Sequence, residues 1–406
     1  MSSPTHPHLI VACHAWYDDM IGGSFRLASE FAIDLANRGH RVSYVCCAAP
    51  GKECLPAQEV VDGVQVHRYS PPAAGTSGRG RMAHHVQQTR MLVEQLDAKN
   101  PIVAVSSHSP LQGLGAAKAL HSRKNVLINY TVHSPFDDEL LSNVAGNISI
   151  ATRLSIWMAG RVERRNCALA DRVQTLSQFT MDQIAKKYGS VVKGKGIVAP
   201  GWVETERFQP AEDRGLLRSQ LGGDWRTDHP LFFTLRRLEN RMGLDTLVDA
   251  CALLRQRGHS FRLLIGGGGP LRDELQSRID AAELRDSVRL LGRLPETQLP
   301  LAYAAADCFV LPTRALECFG LIVLEAFACQ TPVIATNVAA IPELASQQEM
   351  GWMFPPGDSV ALADRMECFV TGDLQASKDL REIALNYDRS RVIDRWSELL
   401  EIPQTR

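Results

Sequence analysis

The sequence has 406 residues, of which 45% are hydrophobic, and its 44 basic side chains are balanced by 45 acidic ones. A chain of this length exceeds most single hydrophobic cores, so we expect two globular domains. The net charge of −1 excludes a general electrostatic attraction to nucleic acid, and we expect no nucleic-acid partner.

The ten cysteines are scattered without the spacing of a zinc site, and Cys46 and Cys47 are adjacent. We expect them to be small core residues in a reducing compartment, and we expect no bound metal. The segment from Met1 to His8 has no basic region followed by a long apolar run, and no later run approaches a membrane span. These features predict a cytoplasmic protein.

Short apolar strands alternate with helical patterns in the first half. Residues 9–13 and 41–46 are the first predicted strands, and Gly22, Gly23 and an amphipathic helix lie between them. Further strands are predicted at 102–105, 126–131 and 172–175, with helices near 82–98, 111–121 and 150–170. The alternation predicts a parallel sheet covered by helices, with ligand-binding loops at the carboxyl ends of the strands.

The second half repeats this pattern. Strands are predicted at 231–235, 261–265, 288–291, 308–311 and 333–335, with helices near 244–257, 270–283, 297–305, 320–329 and 359–371. We therefore expect an α/β fold of two Rossmann-like, doubly wound domains that face each other across a cleft, the usual place for a ligand. The predicted boundaries are 1–205, 206–386 and a closing segment 387–406, with the junction close to the polar stretch 212–230.

The closing helix, predicted at 389–401, has one apolar stripe and needs a partner surface. The stripe consists of Val392, Ile393, Trp396, Leu399 and Leu400.

One stretch places two carboxylates around a helix entrance. A buried strand ends at Pro312, Glu317 follows, and a helix predicted from Gly320 contains Glu325. The free N–H groups of residues 319–321 point out of the first turn and attract phosphate, while the carboxylates suit sugar hydroxyls. Taken alone, a capped helix with Glu317 solvated and Glu325 on a surface explains the pattern equally well.

This spacing resembles the Glu-x7-Glu motif of the retaining glycosyltransferases of family four, which have the GT-B fold. Phe-Gly-Leu inside the spacing and the preceding Leu-Pro also match the family. Each further matching segment is weak evidence by itself; a glycine run after a strand, for example, is usually a tight turn. Taken together, the segments follow the order of the family and cover nearly the whole chain. These segments are Gly22-Gly23 and residues 38–42, 235–238, 243–245, 265–270, 291–294 and 341–344.

The resemblance implies transfer of a hexose-type sugar from a nucleotide diphosphate donor to a hydroxyl acceptor, with retention. The leaving phosphate takes the acceptor's proton, so no carboxylate nucleophile is assigned. A UDP-sugar is the favoured donor and serves as co-substrate, with no further cofactor. GDP-mannose is the alternative donor, and an inactive sugar-nucleotide-binding partner subunit is the alternative function. The closing helix is implied to cross back onto the N-terminal domain.

The resemblance also assigns roles by position. Glu317 would hold hydroxyls of the donor sugar, and Glu325 would hold the ribose hydroxyls. The amides of Phe319, Gly320 and Leu321 would bind a phosphate. His133, which follows a predicted strand, matches the N-domain histidine that touches the transferred sugar.

The glycines of two other loops are implied to contact the donor. Gly22 and Gly23 would let the N-domain backbone approach it, and Gly292 to Leu294 would border the base.

The charge on the leaving diphosphate requires cations. The sequence contains no Asp-x-Asp, which many other glycosyltransferases use to hold a metal, so arginines and the helix end must supply the positive field. We expect Arg237 and Arg241 to make the main charge-assisted bonds, with Arg236 in a lesser role. Because Met242 stands where most members have lysine, we expect Arg241 to replace that charge.

Two further departures from the family pattern involve bulk and charge. Pro200-Gly-Trp-Val-Glu204 replaces the usual Pro-Asn-Gly-Val-Asp, so Trp202 lies near the hinge, where it packs or lines the acceptor side. The four-glycine run 266–269 lacks the acidic residue that is common there.

The acceptor side is the least informative part of the sequence. Residues 71–81, with Arg79 and Arg81, are expected to be mobile and to close over an acceptor. The helix near 150–170 could present a basic amphipathic face to an anionic membrane. Because Glu163 and Asp171 interrupt its charge, we expect a solvated helix, at most weak peripheral membrane contact, and a soluble or peripherally presented acceptor. The basic face consists of Arg153, Arg161, Arg164 and Arg165 with Trp157 and Met158.

Overall fold

The computed structural model describes residues 7–20, 22–49, 51–52, 54–142 and 149–400. The chain divides into two compact units. The first comprises Met1–Gly201 together with Val392–Arg406, and the second comprises Trp202–Arg391.

The first unit contains an eight-stranded sheet of order β3-β4-β2-β1-β5-β6-β7-β8, parallel except for β3. Continuous apolar runs form its central strands, because both faces of the sheet are covered. The strands are β1 His8–Ala12, β2 Arg41–Cys47, β3 Gln58–Val61, β4 Val64–Tyr69, β5 Ile102–Ser107, β6 Leu127–Val132, β7 Arg172–Thr175 and β8 Gly196–Val198.

Among the described residues, six helices belong wholly to this unit. Residues 78–81, expected to be mobile, form the first turn of α2, whose Ser77 side chain accepts a hydrogen bond from the N–H of Gly80. The helices are α1 Gly23–Asn37, α2 Gly78–Lys99, α3 Pro110–Leu120, α4 Phe136–Ser142, α5 Ile150–Leu169 and α6 Gln178–Val192.

The hairpin of β3 and β4 was missed at the sequence level. Its two turn residues, Asp62 and Gly63, have φ values of 47° and 81°. Two consecutive positive φ angles are typical of the type I′ turn, for which Asp-Gly is a strong signal. The strand itself is half-exposed, so no continuous apolar run marks it.

The second unit is built on a parallel sheet of order β11-β10-β9-β12-β13-β14. Its strands are β9 Leu231–Leu235, β10 Arg262–Gly266, β11 Val288–Gly292, β12 Cys308–Leu311, β13 Val333–Thr336 and β14 Met353–Phe354. Its helices are α7 Arg214–Leu221, α8 Leu244–Gln256, α9 Arg272–Ala281, α10 Leu299–Ala305, α11 Leu321–Ala328, α12 Ile341–Ala345, α13 Ser359–Thr371 and α14 Leu380–Leu385.

The polar stretch 212–230 lies inside the second unit and contains α7, so it is not the junction. Arg214 and Arg218 donate hydrogen bonds through Nε to the carbonyl oxygens of Ala304 and Ala305, at 3.2 and 2.8 Å. These arginines satisfy carbonyls at the end of α10, a use that the polar composition does not reveal.

The closing helix, α15 Arg389–Glu398, starts in the second unit and continues into the first, which contains the chain from Val392 onward. Within the first unit, the ring of Trp396 packs 5.5 Å from that of Phe31, and its Nε1 donates to the carbonyl of Pro200 at 2.8 Å. The apolar stripe thus meets α1. No helix among the described residues has the length and hydropathy needed to cross a membrane.

Candidate functional site

The predicted donor residues of the second unit follow the carboxyl ends of neighbouring strands. Arg236 comes directly after β9, and Thr313 and Glu317 follow β12, which pairs with β9. Arg236 Nη2 donates a hydrogen bond to Glu317 Oε2 at 2.8 Å and another to Thr313 Oγ1. The side chains of Arg236 and Glu317 are 8% and 19% exposed, so this ion pair is largely buried.

The three arginines of this loop have different surroundings. Arg237 is 57% exposed and pairs with Glu239 at 3.2 Å. Arg241 is 13% exposed, and burial together with the charges of Arg237 and Arg236 lowers its pKa. Arg236, expected to have the lesser role, is the one in direct contact with Glu317.

Two guanidinium groups have donors left over. Arg236 Nε and Arg241 Nε are buried and have no hydrogen-bond partner among the described residues. An unsatisfied buried donor costs about 1–3 kcal/mol. An anion that accepts from both groups would remove that cost, and phosphate oxygens match the geometry of guanidinium donors.

The loop that carries Glu317 is fixed by contacts distant in sequence. Leu316 has a φ of 59°, which is uncommon for a residue with a side chain. Its carbonyl accepts a hydrogen bond from Arg241 Nη1 at 3.1 Å, and the carbonyl of Glu317 accepts one from the N–H of Ala340 at 2.9 Å. Arg241 therefore holds the loop as well as adding charge.

Helix α11 begins at Leu321, one residue later than predicted, and Gly320 is its N-cap with a φ of 94°. In the described part of the chain, the N–H groups of Phe319, Gly320 and Leu321 donate no hydrogen bond. A Cβ at Gly320 would lie 4.0 Å from Cγ of Glu317, so this helix end adjoins the Glu317 carboxylate. The open N–H groups and the arginines thus lie at one end of the sheet.

Glu325 is 6% exposed within α11. It lies beside Tyr303 of α10, whose pKa is raised by burial first and by the Glu325 charge second. The reading in which Glu317 is solvated and Glu325 lies on a surface is therefore wrong, since Glu317 is paired and Glu325 is buried.

The glycine run has no room for a side chain at two of its four positions. A Cβ at Gly267, where φ is 120°, would lie 1.8 Å from the carbonyl oxygen of Arg236, and one at Gly269 would lie 2.6 Å from that of Leu238. The loop bearing the arginines packs directly on this run, which accounts for the absence of an acidic residue at these two positions.

Gly292 and Leu294 lie beyond the glycine run, at the end of β11. The carbonyl of Gly292 accepts a hydrogen bond from the N–H of Gly267 at 2.7 Å, and Leu294 packs over Gly266. Both residues are half-buried.

Met242 does not point towards the arginines. It is 4% exposed and packs in the hydrophobic core of the second unit. Met242 therefore adds nothing to the charge of the arginine loop, and Arg241 stays the residue expected to replace the lysine. Trp202 is also buried, at 3% exposure.

His133, Gly22 and Gly23 belong to the first unit. Gly22 is the N-cap of α1, with an extended backbone, and a Cβ there would lie 2.9 Å from the ring of Phe25. Gly23 is the first residue of α1 and is exposed.

His133 follows β6 and forms part of a hydrogen-bonded chain. Its Nε2 lies 3.1 Å from Nδ1 of His108, whose Nε2 lies 3.0 Å from Oγ of Ser106. Burial lowers the pKa of His133 to about 4 and lowers that of His108 well below its usual 6.5, so both rings are neutral at pH 7. Neither His108 nor His14, near the end of β1, was predicted as a site residue, although each lies at the carboxyl end of a central strand.

Two family models match the chain, one in each half. Residues 21–207 match the model described as Glycosyltransferase Family 4, and residues 222–387 match that described as Glycosyl transferases group 1. The two matched segments together leave only short parts of the chain unmatched.

Curated relatives match over part of their length. A GDP-mannose-dependent alpha-(1-6)-phosphatidylinositol monomannoside mannosyltransferase of Mycolicibacterium smegmatis is 30% identical over 234 residues, which is 56% of this chain and 59% of that protein. An alpha-D-kanosaminyltransferase of Streptomyces kanamyceticus is 26% identical over 218 residues, 53% of this chain and 55% of that protein. The chain thus spans less than two thirds of either relative.

Solved structures match over nearly the whole chain. Sucrose-phosphate synthase from Thermosynechococcus elongatus has a TM-score of 0.81 at 22% identity, covering 98% of each chain. A glycosyltransferase from Rickettsia africae has a TM-score of 0.72 at 16% identity, covering 99% of this chain and 100% of that one. These likenesses confirm the predicted GT-B fold. With a family model matched in each half, the chain belongs to the family-four glycosyltransferases.

Proposed function

We propose that this protein is a retaining glycosyltransferase that moves a hexose-type sugar from a nucleotide diphosphate to a hydroxyl acceptor. The supporting observation is the arrangement of Arg236, Arg241 and the start of α11. Arg236 and Arg241 each have a buried Nε without a hydrogen-bond partner among the described residues, and Arg241 Nε lies 3.7 Å from Glu239 Oε2. Both arginines bond to the loop of Leu316 and Glu317, which leads to the open N–H groups of residues 319–321. Guanidinium and backbone N–H donors at one end of the sheet suit a diphosphate, and the Glu317 carboxylate suits a sugar hydroxyl.

The proposed mechanism stabilises the leaving group. As the bond from the sugar to the phosphate breaks, negative charge grows on the diphosphate, and Arg236, Arg241 and the amides of residues 319–321 receive it. Each charge-assisted hydrogen bond contributes roughly 1.5–3 kcal/mol. Glu317 holds sugar hydroxyls and Glu325 the ribose, while the departing phosphate oxygen takes the acceptor's proton.

The donor is a UDP-hexose or GDP-mannose. The family resemblance favoured UDP, whereas the mannosyltransferase relative is named as GDP-mannose-dependent at 30% identity. Structures with UDP match at 18 to 19% identity, which supports the fold alone. GDP-mannose is therefore the first donor to test.

The test measures release of nucleoside diphosphate from GDP-mannose, UDP-glucose and ADP-glucose, with and without sugar acceptors. Thermal shifts with GDP, UDP and ADP give the binding preference independently. We expect one donor to be turned over and its diphosphate to raise the melting temperature most. Binding without any turnover of any donor would assign the chain to the inactive partner subunits instead.

Metal independence is part of the proposal. If arginines and the helix end supply the positive field, excess EDTA should leave donor turnover nearly unchanged. Loss of turnover on chelation, restored by magnesium or manganese, would show that the arginines do not suffice.

A further inference from the structure

A basic groove lies on the surface of the first unit, bordered by α2, α3, α5 and α6. Its volume is about 870 Å³, and methionine, valine and leucine side chains contribute to its lining. Six lining residues are basic and none is acidic. The basic residues are Arg79, Arg90, Lys118, Arg161, Arg164 and Arg165.

An exposed apolar stripe on α5 leads into this groove. Ile150, Leu154 and Trp157 are 87%, 52% and 58% exposed. Their spacing of four and three residues puts them on one face, and Arg161 is the next residue along it. The Arg161 guanidinium stacks 4.9 Å from the centre of the Trp157 ring.

The expectation that Glu163 interrupts the basic face of α5 is wrong. Glu163 is fully buried on the opposite side of the helix, where Oε1 accepts from the hydroxyl of Tyr130 at 2.6 Å and Oε2 accepts from the N–H of Phe136 at 3.0 Å. Asp171 accepts from the N–H of Ile128 and is not part of the groove lining. Glu163 therefore does not interrupt the charge of the outer face, and Asp171, which is exposed, lies beyond the end of α5.

Most of the positive charge that lines the basic groove is not neutralised by neighbouring carboxylates. Arg90 pairs with Glu94 at 2.7 Å, and both side chains are exposed. For Arg79, Lys118, Arg164 and Arg165, the described residues supply no carboxylate within ion-pair distance. A chain of net charge −1 thus concentrates positive charge on one face.

We propose that this face, formed by the α5 stripe and the basic groove, binds the surface of an anionic phospholipid bilayer. The three apolar side chains enter the boundary between headgroups and acyl chains, and the basic side chains contact lipid phosphates. A free phosphate bound by the basic side chains would leave the apolar stripe exposed to water. Single-stranded RNA would stack on Trp157 but would not cover Ile150 and Leu154, so a bilayer accounts for more of the surface.

The test is sedimentation of the full chain with vesicles of phosphatidylcholine alone, or of phosphatidylcholine mixed equally with phosphatidylglycerol. We expect binding to the anionic vesicles only, and weaker binding as salt rises. Arg164→Gln/Arg165→Gln should lower the partition coefficient about 25-fold, because each cation near an anionic surface contributes about a fivefold factor. Ile150→Ser/Leu154→Ser should also weaken binding while leaving the salt dependence.

The matched control is Lys186→Gln/Arg272→Gln, which removes two exposed cations outside the groove. It should bind anionic vesicles like the parent. An equal loss in the control, or a parent that stays in the supernatant with both vesicles, would overturn the proposal. An RNA oligonucleotide that binds the parent and displaces it from vesicles, with the Arg164 and Arg165 variant losing RNA binding, would reassign the groove to nucleic acid.

Discussion

Replacing Arg236 by alanine should damage the donor site more than replacing Arg237, although the two arginines are adjacent in sequence. The Arg236 side chain is 8% exposed and bonds to Glu317 and Thr313, whereas the Arg237 side chain is 57% exposed and pairs with Glu239. The change removes one cation from the proposed diphosphate contact and leaves a largely buried carboxylate without its partner.

The expected magnitudes follow from these contacts. A hydrogen bond to a charged group contributes roughly 1.5–3 kcal/mol, and water that reaches the 19% exposed Glu317 offsets part of its loss. We therefore expect Arg236→Ala to cost about 1.5–2 kcal/mol of unfolding free energy, a fall of about 3–8 °C in melting temperature. Loss of one charge-assisted contact to the leaving group should slow turnover about ten- to a hundredfold. Arg237→Ala should cost less than about 1 kcal/mol in stability.

The assay is release of nucleoside diphosphate, with melting temperatures measured on the same preparations. Arg236→Ala/Glu317→Ala should recover part of the melting temperature, because no unpaired carboxylate remains, but it should not recover turnover. Turnover of Arg236→Ala within twofold of the parent, or a greater loss in Arg237→Ala, would refute this assignment of the cations.

Three further predictions concern other residues. Glu325→Ala should weaken binding of the nucleoside diphosphate, whereas Glu317→Ala should leave it near the parent and lower turnover; calorimetric titration showing equal losses would contradict the two roles. Met242→Lys should destabilise the second unit by about 2–4 kcal/mol, because a buried apolar side chain is replaced by one whose ammonium cannot stay in the core; an unchanged urea midpoint would disprove the buried placement. Burial lowers the pKa of His133 from 6.5 to about 4, so between these pH values the unfolded chain binds a proton that the folded chain does not. The free energy of unfolding should therefore fall as the pH drops through this window, and His133→Asn should reduce that fall. Urea midpoints that are the same for the parent and the variant at pH 7, and again at pH 5, would argue against this prediction.

Most strands could be predicted from the sequence because their signal is local. Buried parallel strands read as short continuous apolar runs, and β9 at Leu231–Leu235 was predicted to the residue. The half-exposed strand β3 has no such run, and α7 lies in the polar stretch 212–230, near which the domain junction was predicted.

Neighbouring residues on an extended segment point to opposite sides, and which side faces the site depends on the strands around it. The sequence placed Arg236, Arg237 and Arg241 in one loop and ranked Arg236 last, whereas in the structure Arg236 pairs with Glu317. Likewise, the helical period of α5 does not say which face packs inward, so Glu163 was counted with the surface charges although it bonds to Tyr130 in the interior.

By itself, the sequence determined the alternation of strands and helices, the two halves and the spacing of Glu317 and Glu325, because these depend on residues close together along the chain. Only the tertiary structure decided that Arg236 contacts Glu317, that Met242 enters the core and that Glu163 leaves the basic face of α5 uninterrupted. Each of these outcomes depends on what packs against a side chain from a distant segment. Local spacing cannot specify that contact, because burial and hydrogen bonding are set by the whole sheet and its covering helices.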